Sequence, residues 1–234
     1  MSNIKKIIVW VGNGVGKQVR PTYEWKPDSS RTLIYYPLTS NLVDQMWNWN
    51  TGTAHWTLSY DETTWIRFTW TSWNYVTGMS NWIANRNIFT MNVWVKCTSN
   101  SNTKILLWYN SNTPSAQCMY IAYESSNLRL VWFFWSSWSY AIVCSITTGT
   151  DWHNVCLVAD WTSYKCYVDN VLGAENTSSN NMNNYSELQL WWWWYYWSSR
   201  SCDGYAKSYI VENYAWSEED RTNYYNWSKE KLWI

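Results

Sequence analysis

The sequence has little glycine and proline and no net charge. Among 234 residues there are 8 Gly and 4 Pro, whereas average composition would give about 16 glycines. Lys plus Arg and Asp plus Glu number 17 each and are scattered along the chain, so charge alone attracts neither nucleic acid nor anionic lipid. No run of about 18 apolar residues exists, and the first residues form no secretory h-region. We therefore expect no nucleic-acid partner and no membrane insertion.

Metal-binding cysteine patterns are also missing. The six cysteines include no C-x-x-C pair and have no histidine at metal-ligand spacing, which argues against a zinc site. Cys144, Cys156 and Cys166 alternate with apolar residues, and this pattern is typical of buried thiols that pack as small hydrophobes. Disulfides are the alternative if the protein is extracellular.

Tryptophan is abundant in this sequence, whereas glycine is scarce. Many of the 24 Trp stand in turn contexts, where a hairpin needs a positive φ that glycine reaches freely and a bulky residue reaches only with strain. One hypothesis is that these Trp occupy glycine positions, as would follow if UGA codons that mean glycine in a variant genetic code were translated as Trp. The alternative is a set of aromatic platforms for sugar faces. The turn positions concerned are Trp49, Trp73, Trp138, Trp161 and Trp191 to Trp194. Trp94, Trp152 and Trp216 lie in strand-like or near-helical contexts and are predicted to be structural core residues.

The pattern of short β-rich runs separated by turn residues predicts an all-β fold. Such a chain of 234 residues fits one sandwich, since single all-β domains run to roughly 200–250 residues. We predict a two-sheet antiparallel jelly-roll sandwich over residues 31–234, preceded by an N-terminal arm with an apolar strand over residues 1–30. One short C-terminal helix is predicted over 217–226, with Ser217 as its N-cap and acidic residues in its first turn. The predicted strands are 33–38, 55–60, 66–69, 88–97, 104–109, 119–124, 128–134, 140–146, 153–159, 164–168, 187–190 and 205–212.

Three segments together resemble the concanavalin A-like lectin/glucanase superfamily, in its laminin G-like branch. The first is LIYYPLTSNLVDQMWNWNTGT, with Trp47 and Trp49 where glycines are usual. The second is FTMNVWVKCTSNSNTKILL followed by DWHNVCLVADWTSYKCYVDNVLGAENT, and the third is CDGYAKSYIVENYAWSEED. The resemblance covers roughly residues 33–226 and implies a lectin-like sandwich. Lys207 and Ser208 depart from it, because they stand where the branch usually carries an acidic pair.

Calcium is the one candidate cofactor. Asp44, Asn48 and Asn50 in the opening loop could supply hard oxygen ligands for it. The alternative for these three residues is simple turn formation by Asx side chains.

Catalysis is not expected. Glycosidases of the superfamily place paired carboxylates on one strand as Glu-x-Asp-x-Glu or Glu-x-Asp-x-x-Glu, and that pattern is absent from the sequence. His153 has no serine or cysteine beside it in a nucleophile setting and is predicted to be a surface histidine.

The resemblance and the missing catalytic pattern predict a non-catalytic carbohydrate-binding or adhesion module of a cell-surface or virion protein. Its partner would be a glycan or a surface protein. The alternative is a structural subunit of a phage tail fibre or surface appendage, which would form homo-oligomers through the apolar arm, because an unpaired strand tends to add to a sheet edge.

Overall fold

The computed structural model describes fourteen segments of the chain. They are residues 25–38, 45–46, 52–55, 59–61, 65–68, 75–79, 86–97, 104–110, 118–124, 127–134, 139–147, 151–177, 187–190 and 204–232. The predicted apolar strand of the arm and the calcium candidates Asp44, Asn48 and Asn50 lie outside these segments.

The predicted fold class is confirmed: the structure is an antiparallel β-sandwich with one C-terminal helix. Its strands in chain order are β1 (Thr32–Tyr36), β2 (Thr53–His55), β3 (Ser59–Asp61), β4 (Trp65–Phe68), β5 (Tyr75–Met79), β6 (Ile88–Cys97), β7 (Lys104–Asn110), β8 (Cys118–Glu124), β9 (Asn127–Phe134), β10 (Ser139–Thr147), β11 (His153–Asp160), β12 (Ser163–Val168), β13 (Val171–Thr177), β14 (Glu187–Leu190) and β15 (Gly204–Glu212). The helix α1 spans Glu218–Lys231.

The strands form two sheets. The first has the order β13-β12-β11-β6-β15-β4-β3, with β1 paired to β15 beyond the stretch that pairs with β4. The second has the order β10-β9-β8-β7-β14-β5-β2. Because β6 pairs with β11 and β15, which follow it by more than fifty residues, the centre of the first sheet consists of contacts between distant parts of the sequence.

The central strands of the first sheet are buried on both faces. Along β6, successive residues from Phe89 to Val95 are all at most 5% exposed, and β11 is similarly buried from Asn154 to Ala159. One face is covered by α1, since the Trp94 Nε1 donates to the Ser228 Oγ at 2.9 Å. The opposite face belongs to the sandwich interior, which explains why these strands carry apolar residues at consecutive positions.

The helix begins as the sequence predicts and extends further. Ser217 is the N-cap, and its Oγ accepts from the Asp220 backbone N–H at 3.1 Å while its own N–H donates to Asp220 Oδ2 at 3.0 Å. This capping box satisfies two otherwise unpaired donors. The helix continues five residues past the predicted end at 226, to Lys231.

Two predictions about strands are wrong. The strand predicted over 55–60 is two strands, since β2 ends at His55 in the second sheet and β3 begins at Ser59 in the first. The two strands accordingly have different partners, β5 for β2 and β4 for β3. The predicted strands also lack β5 and the edge strand β13, which the structure has at Tyr75–Met79 and Val171–Thr177.

The end of the predicted arm packs on the sandwich. The Trp25 ring lies 5.8 Å from the Tyr35 ring, 4.9 Å from the Tyr224 ring and 5.0 Å from the Trp227 ring, measured between centroids. Residue 25 therefore joins the apolar cluster between the first sheet and α1.

Candidate functional site

A cavity opens where the start of α1 crosses the first sheet, and we name it the α1 cavity. Its volume is about 390 Å³, within the range of roughly 300–1,000 Å³ typical of ligand sites. One wall comes from β11 and β12 and carries Asp160, Ser163, Lys165 and Tyr167. The other wall comes from the helix and the residues before it and carries Trp216, Ser217, Glu218 and Arg221.

The outer part of the cavity is polar and accessible to solvent. Asp160 and Glu218 are exposed, as is Ser217. The ammonium of Lys165 lies 3.3 Å from Glu175 Oε1, in a pair whose side chains are 40% and 48% exposed. Carboxylates, hydroxyls and an ammonium therefore surround the entrance, and these groups can both donate to and accept from a polyhydroxylated ligand.

The inner part is formed by three nearly buried side chains. Trp216 is 5% exposed, Tyr167 is 8% exposed and Arg221 is 9% exposed. The Arg221 guanidinium carbon lies 3.6 Å from the Tyr167 ring centroid, a cation–π arrangement. Burial raises the pKa of Tyr167, with the neighbouring Arg221 charge opposing the effect, so the phenol stays neutral.

Arg221 is held in place by a turn of the first sheet. Its Nη1 donates to Asn170 Oδ1 at 2.8 Å, and Asn170 Nδ2 donates to Thr222 Oγ1 at 3.0 Å. Asp169 and Asn170 form the β12–β13 turn with φ angles of 51° and 64°, values that Asp and Asn tolerate better than most residues. The β12–β13 turn therefore holds the Arg221 guanidinium in position through Asn170.

Two residues of the cavity wall each carry a buried donor that has no acceptor. Trp216 Nε1 and Arg221 Nε lie among the buried polar atoms without a hydrogen-bond partner. A buried donor left unpaired costs about 1–3 kcal/mol, so an acceptor group brought by a ligand would recover this energy. Sequence analysis singled out Trp216 but missed Arg221, whose position opposite Tyr167 depends on helix packing.

The three predicted core tryptophans lie on or beside the face covered by α1. Trp94 is 1% exposed and Trp216 is 5% exposed. Trp152 is only partly buried, and the Lys207 Nζ sits 4.3 Å from its ring centroid.

His153 is not a surface histidine. Its side chain is 14% exposed, and its Nδ1 lies 2.7 Å from Asp169 Oδ2. The Asp169 carboxylate also accepts from the Asn154 backbone N–H at 2.9 Å, so the carboxylate that contacts the imidazole is itself held by the backbone. No nucleophile is hydrogen-bonded to the other ring nitrogen, because His153 Nε2 has no partner.

The two cysteines whose side chains are described support the buried-thiol prediction. Cys156 and Cys166 are free and buried, and burial raises the pKa of Cys156 to about 12. Within the described segments, no group of three or more His, Cys, Asp or Glu side chains could hold a metal. Nor does any helix there have the length and apolarity to cross a membrane.

The Trp161 position has the backbone that the sequence predicts. It follows Asp160 at the β11–β12 turn with a φ of 54°, and its side chain is 64% exposed. The other turn tryptophans named above lie outside the described segments.

The fold is shared with known carbohydrate-binding and receptor-binding structures. Domain 4 of an extracellular arabinanase from Geobacillus stearothermophilus, solved in complex with arabinotriose, matches 82% of this chain and 97% of its own with a TM-score of 0.68 and 14% identity. The receptor-binding domain of the botulinum neurotoxin C/D mosaic serotype matches 85% of this chain with a TM-score of 0.67 and 11% identity.

A structure of botulinum neurotoxin type C matches 85% of this chain with a TM-score of 0.66 and 9% identity. It was solved in work on the dependence of that toxin's cell entry on interaction with two ganglioside molecules. The chain spans about half of these two toxin chains, 52% and 51%. Neither a protein-family model nor a curated protein sequence matches the chain. At such identities the likeness shows the fold.

Proposed function

We propose that this chain is a non-catalytic glycan-binding module and that the α1 cavity is its binding site. The observation that carries the proposal is the composition of the cavity wall. Trp216 and Arg221 in the wall carry buried donors without acceptors, and Asp160, Ser217 and Glu218 supply hydroxyl-binding groups at the entrance. A sugar offers acceptors and donors in this arrangement, because each hydroxyl can serve as either.

The solved structures with this fold add support. The arabinanase domain was solved with arabinotriose, and cell entry of the type C toxin depends on interaction with gangliosides. The arabinanase domain, matched over 97% of its length, is a sandwich of this kind solved with a saccharide, whereas the match covers about half, 51%, of the toxin chain. The proposal places this chain in a cell-surface or virion setting, with a glycan or a surface protein as its partner.

The laminin G-like branch of the concanavalin A-like superfamily is our proposed family. Trp161 supports the associated recoding hypothesis, because it occupies a left-handed turn position of the kind that usually takes glycine. The test is the coding DNA. UGA codons at Trp49, Trp161 and Trp191 to Trp194 would support the hypothesis, and UGG codons there would overturn it. The calcium ligands Asp44, Asn48 and Asn50 remain part of the proposal, to be tested by calcium titration of the D44N variant.

A glycan array probed with the full chain tests the function. We expect saccharide binding that weakens about tenfold in the double variant D160N/E218Q, since two acceptors for sugar hydroxyls are lost. The matched control is D151N, which removes an exposed carboxylate outside the cavity.

The alternative function is the structural subunit favoured by the apolar sequence of residues 4–11. Absence of binding to every arrayed saccharide, together with large oligomers in sizing chromatography, would overturn the glycan-binding proposal in favour of that alternative.

A further inference from the structure

Arg221 is a buried cation without a counter-ion. It is 9% exposed, and its contacts are the neutral side chain of Asn170 and the face of Tyr167. Within the part of the chain that the structure describes, no carboxylate forms an ion pair with it. Buried arginines are almost always paired, because an uncompensated charge in the interior is costly. A group that compensated the charge of Arg221 would therefore have to be an anion.

Trp216 restricts the chemistry of that partner. Its side chain belongs to the cavity wall, and its indole Nε1, which can only donate, is buried and has no acceptor. A ligand group that satisfies it must bring a lone pair, and the same holds for the Arg221 Nε. A carboxylate brings two acceptor oxygens and a negative charge, so it can serve both residues.

The entrance of the cavity limits the rest of the ligand. Asp160 and Glu218 are exposed there and accept hydrogen bonds only, so they favour hydroxyl groups and oppose a second negative charge. Their repulsion of an inner carboxylate is small because solvent screens exposed charges. The charged groups of the cavity thus run from a buried cation inside to exposed carboxylates outside, where the Lys165 ammonium is already paired with Glu175.

We propose that the α1 cavity binds a saccharide unit carrying a single carboxylate, of the uronic-acid type, with the carboxylate on Arg221 and Trp216 and the hydroxyls at Asp160 and Glu218. This inference rests on the proposed glycan-binding function and adds the class of sugar. It follows from the order of charges in the cavity and from the two unpaired donors.

Isothermal titration with matched methyl glycosides tests the inference. Methyl glucuronide and methyl glucoside differ only in a carboxylate against a hydroxymethyl group, and the galacturonide and galactoside form a second pair. We expect at least one acidic member to bind about tenfold or more tightly than its neutral partner, since hydrogen bonds to charged groups are the stronger ones. R221Q should remove that preference, and W216F should weaken binding of the acidic sugar several-fold. The control K26Q, at an exposed lysine outside the cavity, should change neither value.

A chemical variant of the ligand keeps the test independent of protein folding. The methyl ester of the bound uronide retains the sugar ring and removes the charge, so with the wild-type chain it should bind about as weakly as the neutral glycoside.

Three results would overturn the inference. If the ester or the neutral sugar bound as tightly as the acid, the acidic specificity would be wrong while the glycan-binding proposal stood. If acetate bound as tightly as the uronide, the cavity would be an anion site without sugar recognition. If no saccharide bound in either assay, both proposals would fail.

Discussion

The indole nitrogen of Trp94 donates to the hydroxyl of Ser228 across the interface between β6 and α1, at 2.9 Å. Trp94 is 1% exposed and Ser228 is fully buried. The Tyr225 ring stacks on the indole at a centroid distance of 5.5 Å. This pair joins the centre of the first sheet to the helix that forms one wall of the α1 cavity.

Removing the Trp94 donor should destabilise the protein. W94F leaves part of the indole volume empty and removes the bond to Ser228, and we expect the free energy of unfolding to fall by about 1–3 kcal/mol. Urea denaturation measures the change. The matched control is W161F at an exposed tryptophan, where a change within about 0.5 kcal/mol is expected. Equal effects at the two positions would contradict this account of the helix interface.

Replacing Trp161 by glycine should stabilise the protein. The left-handed conformation costs a residue with a Cβ roughly 1–2 kcal/mol, and Trp161 adopts a φ of 54°. We expect W161G to raise the free energy of unfolding by about 1 kcal/mol. T162G, at the neighbouring turn residue without a positive φ, should give no such gain. A loss of stability in W161G would show that the indole contributes contacts that outweigh the strain.

Glu212 should make stability fall as pH rises from about 4.5 to 7. Burial raises the pKa of this carboxyl from 4.5 to about 7, with the Thr32 hydrogen bond opposing the shift. The folded state then holds a proton that the unfolded state has released, so the free energy of unfolding decreases with pH, by up to about 1.4 kcal/mol per unit for one proton. The decrease is complete above pH 7.

The variant E212Q isolates this effect, because the amide can still accept from the Thr32 Oγ1, which donates to Glu212 Oε1 at 2.7 Å. The difference in unfolding free energy between E212Q and wild type should grow in favour of E212Q from pH 5 to pH 8. A constant difference across that range would exclude Glu212 as the titrating group.

Lys207 should have the opposite pH dependence at higher pH. Burial lowers the pKa of its amine from 10.5 to about 8, with the Lys96 charge acting in the same direction. Between pH of about 8 and 10.5 the amine is protonated in the unfolded state and neutral in the folded state. The free energy of unfolding contributed by Lys207 therefore rises with pH across this range. Urea unfolding of wild type and K207M at pH 7.5 and 9.5 should show wild type gaining relative to the variant. The amine also donates to the Leu232 carbonyl at 3.1 Å, so K207M should be less stable at both pH values.

Sequence patterning predicted the central strands well and the edges poorly. The bounds of β6 and β14 agree residue for residue with the prediction, 88–97 and 187–190. The edge strand β13 is exposed at six of its seven positions, so it has no apolar face for a pattern to reveal.

The candidate site was harder to predict than the fold. Trp216 and Arg221 follow Asp160 and Tyr167 by 49 to 61 residues, and they meet only because α1 crosses the first sheet. The capping residues predict where the helix starts but carry no information about which strand it covers. The unpaired donors could not be recognised before that packing was known, since being unpaired is a property of the surroundings and not of the residue type.

The β12–β13 turn offers a way to adjust the ligand site from outside it. Asn170 binds both Arg221 and Thr222 through its side chain, yet it is not part of the cavity wall. A shorter or longer side chain at that one turn residue would reposition the guanidinium while every group facing the ligand kept its identity. If the α1 cavity binds a saccharide as proposed, affinity would diverge between related chains through substitutions that never contact that ligand.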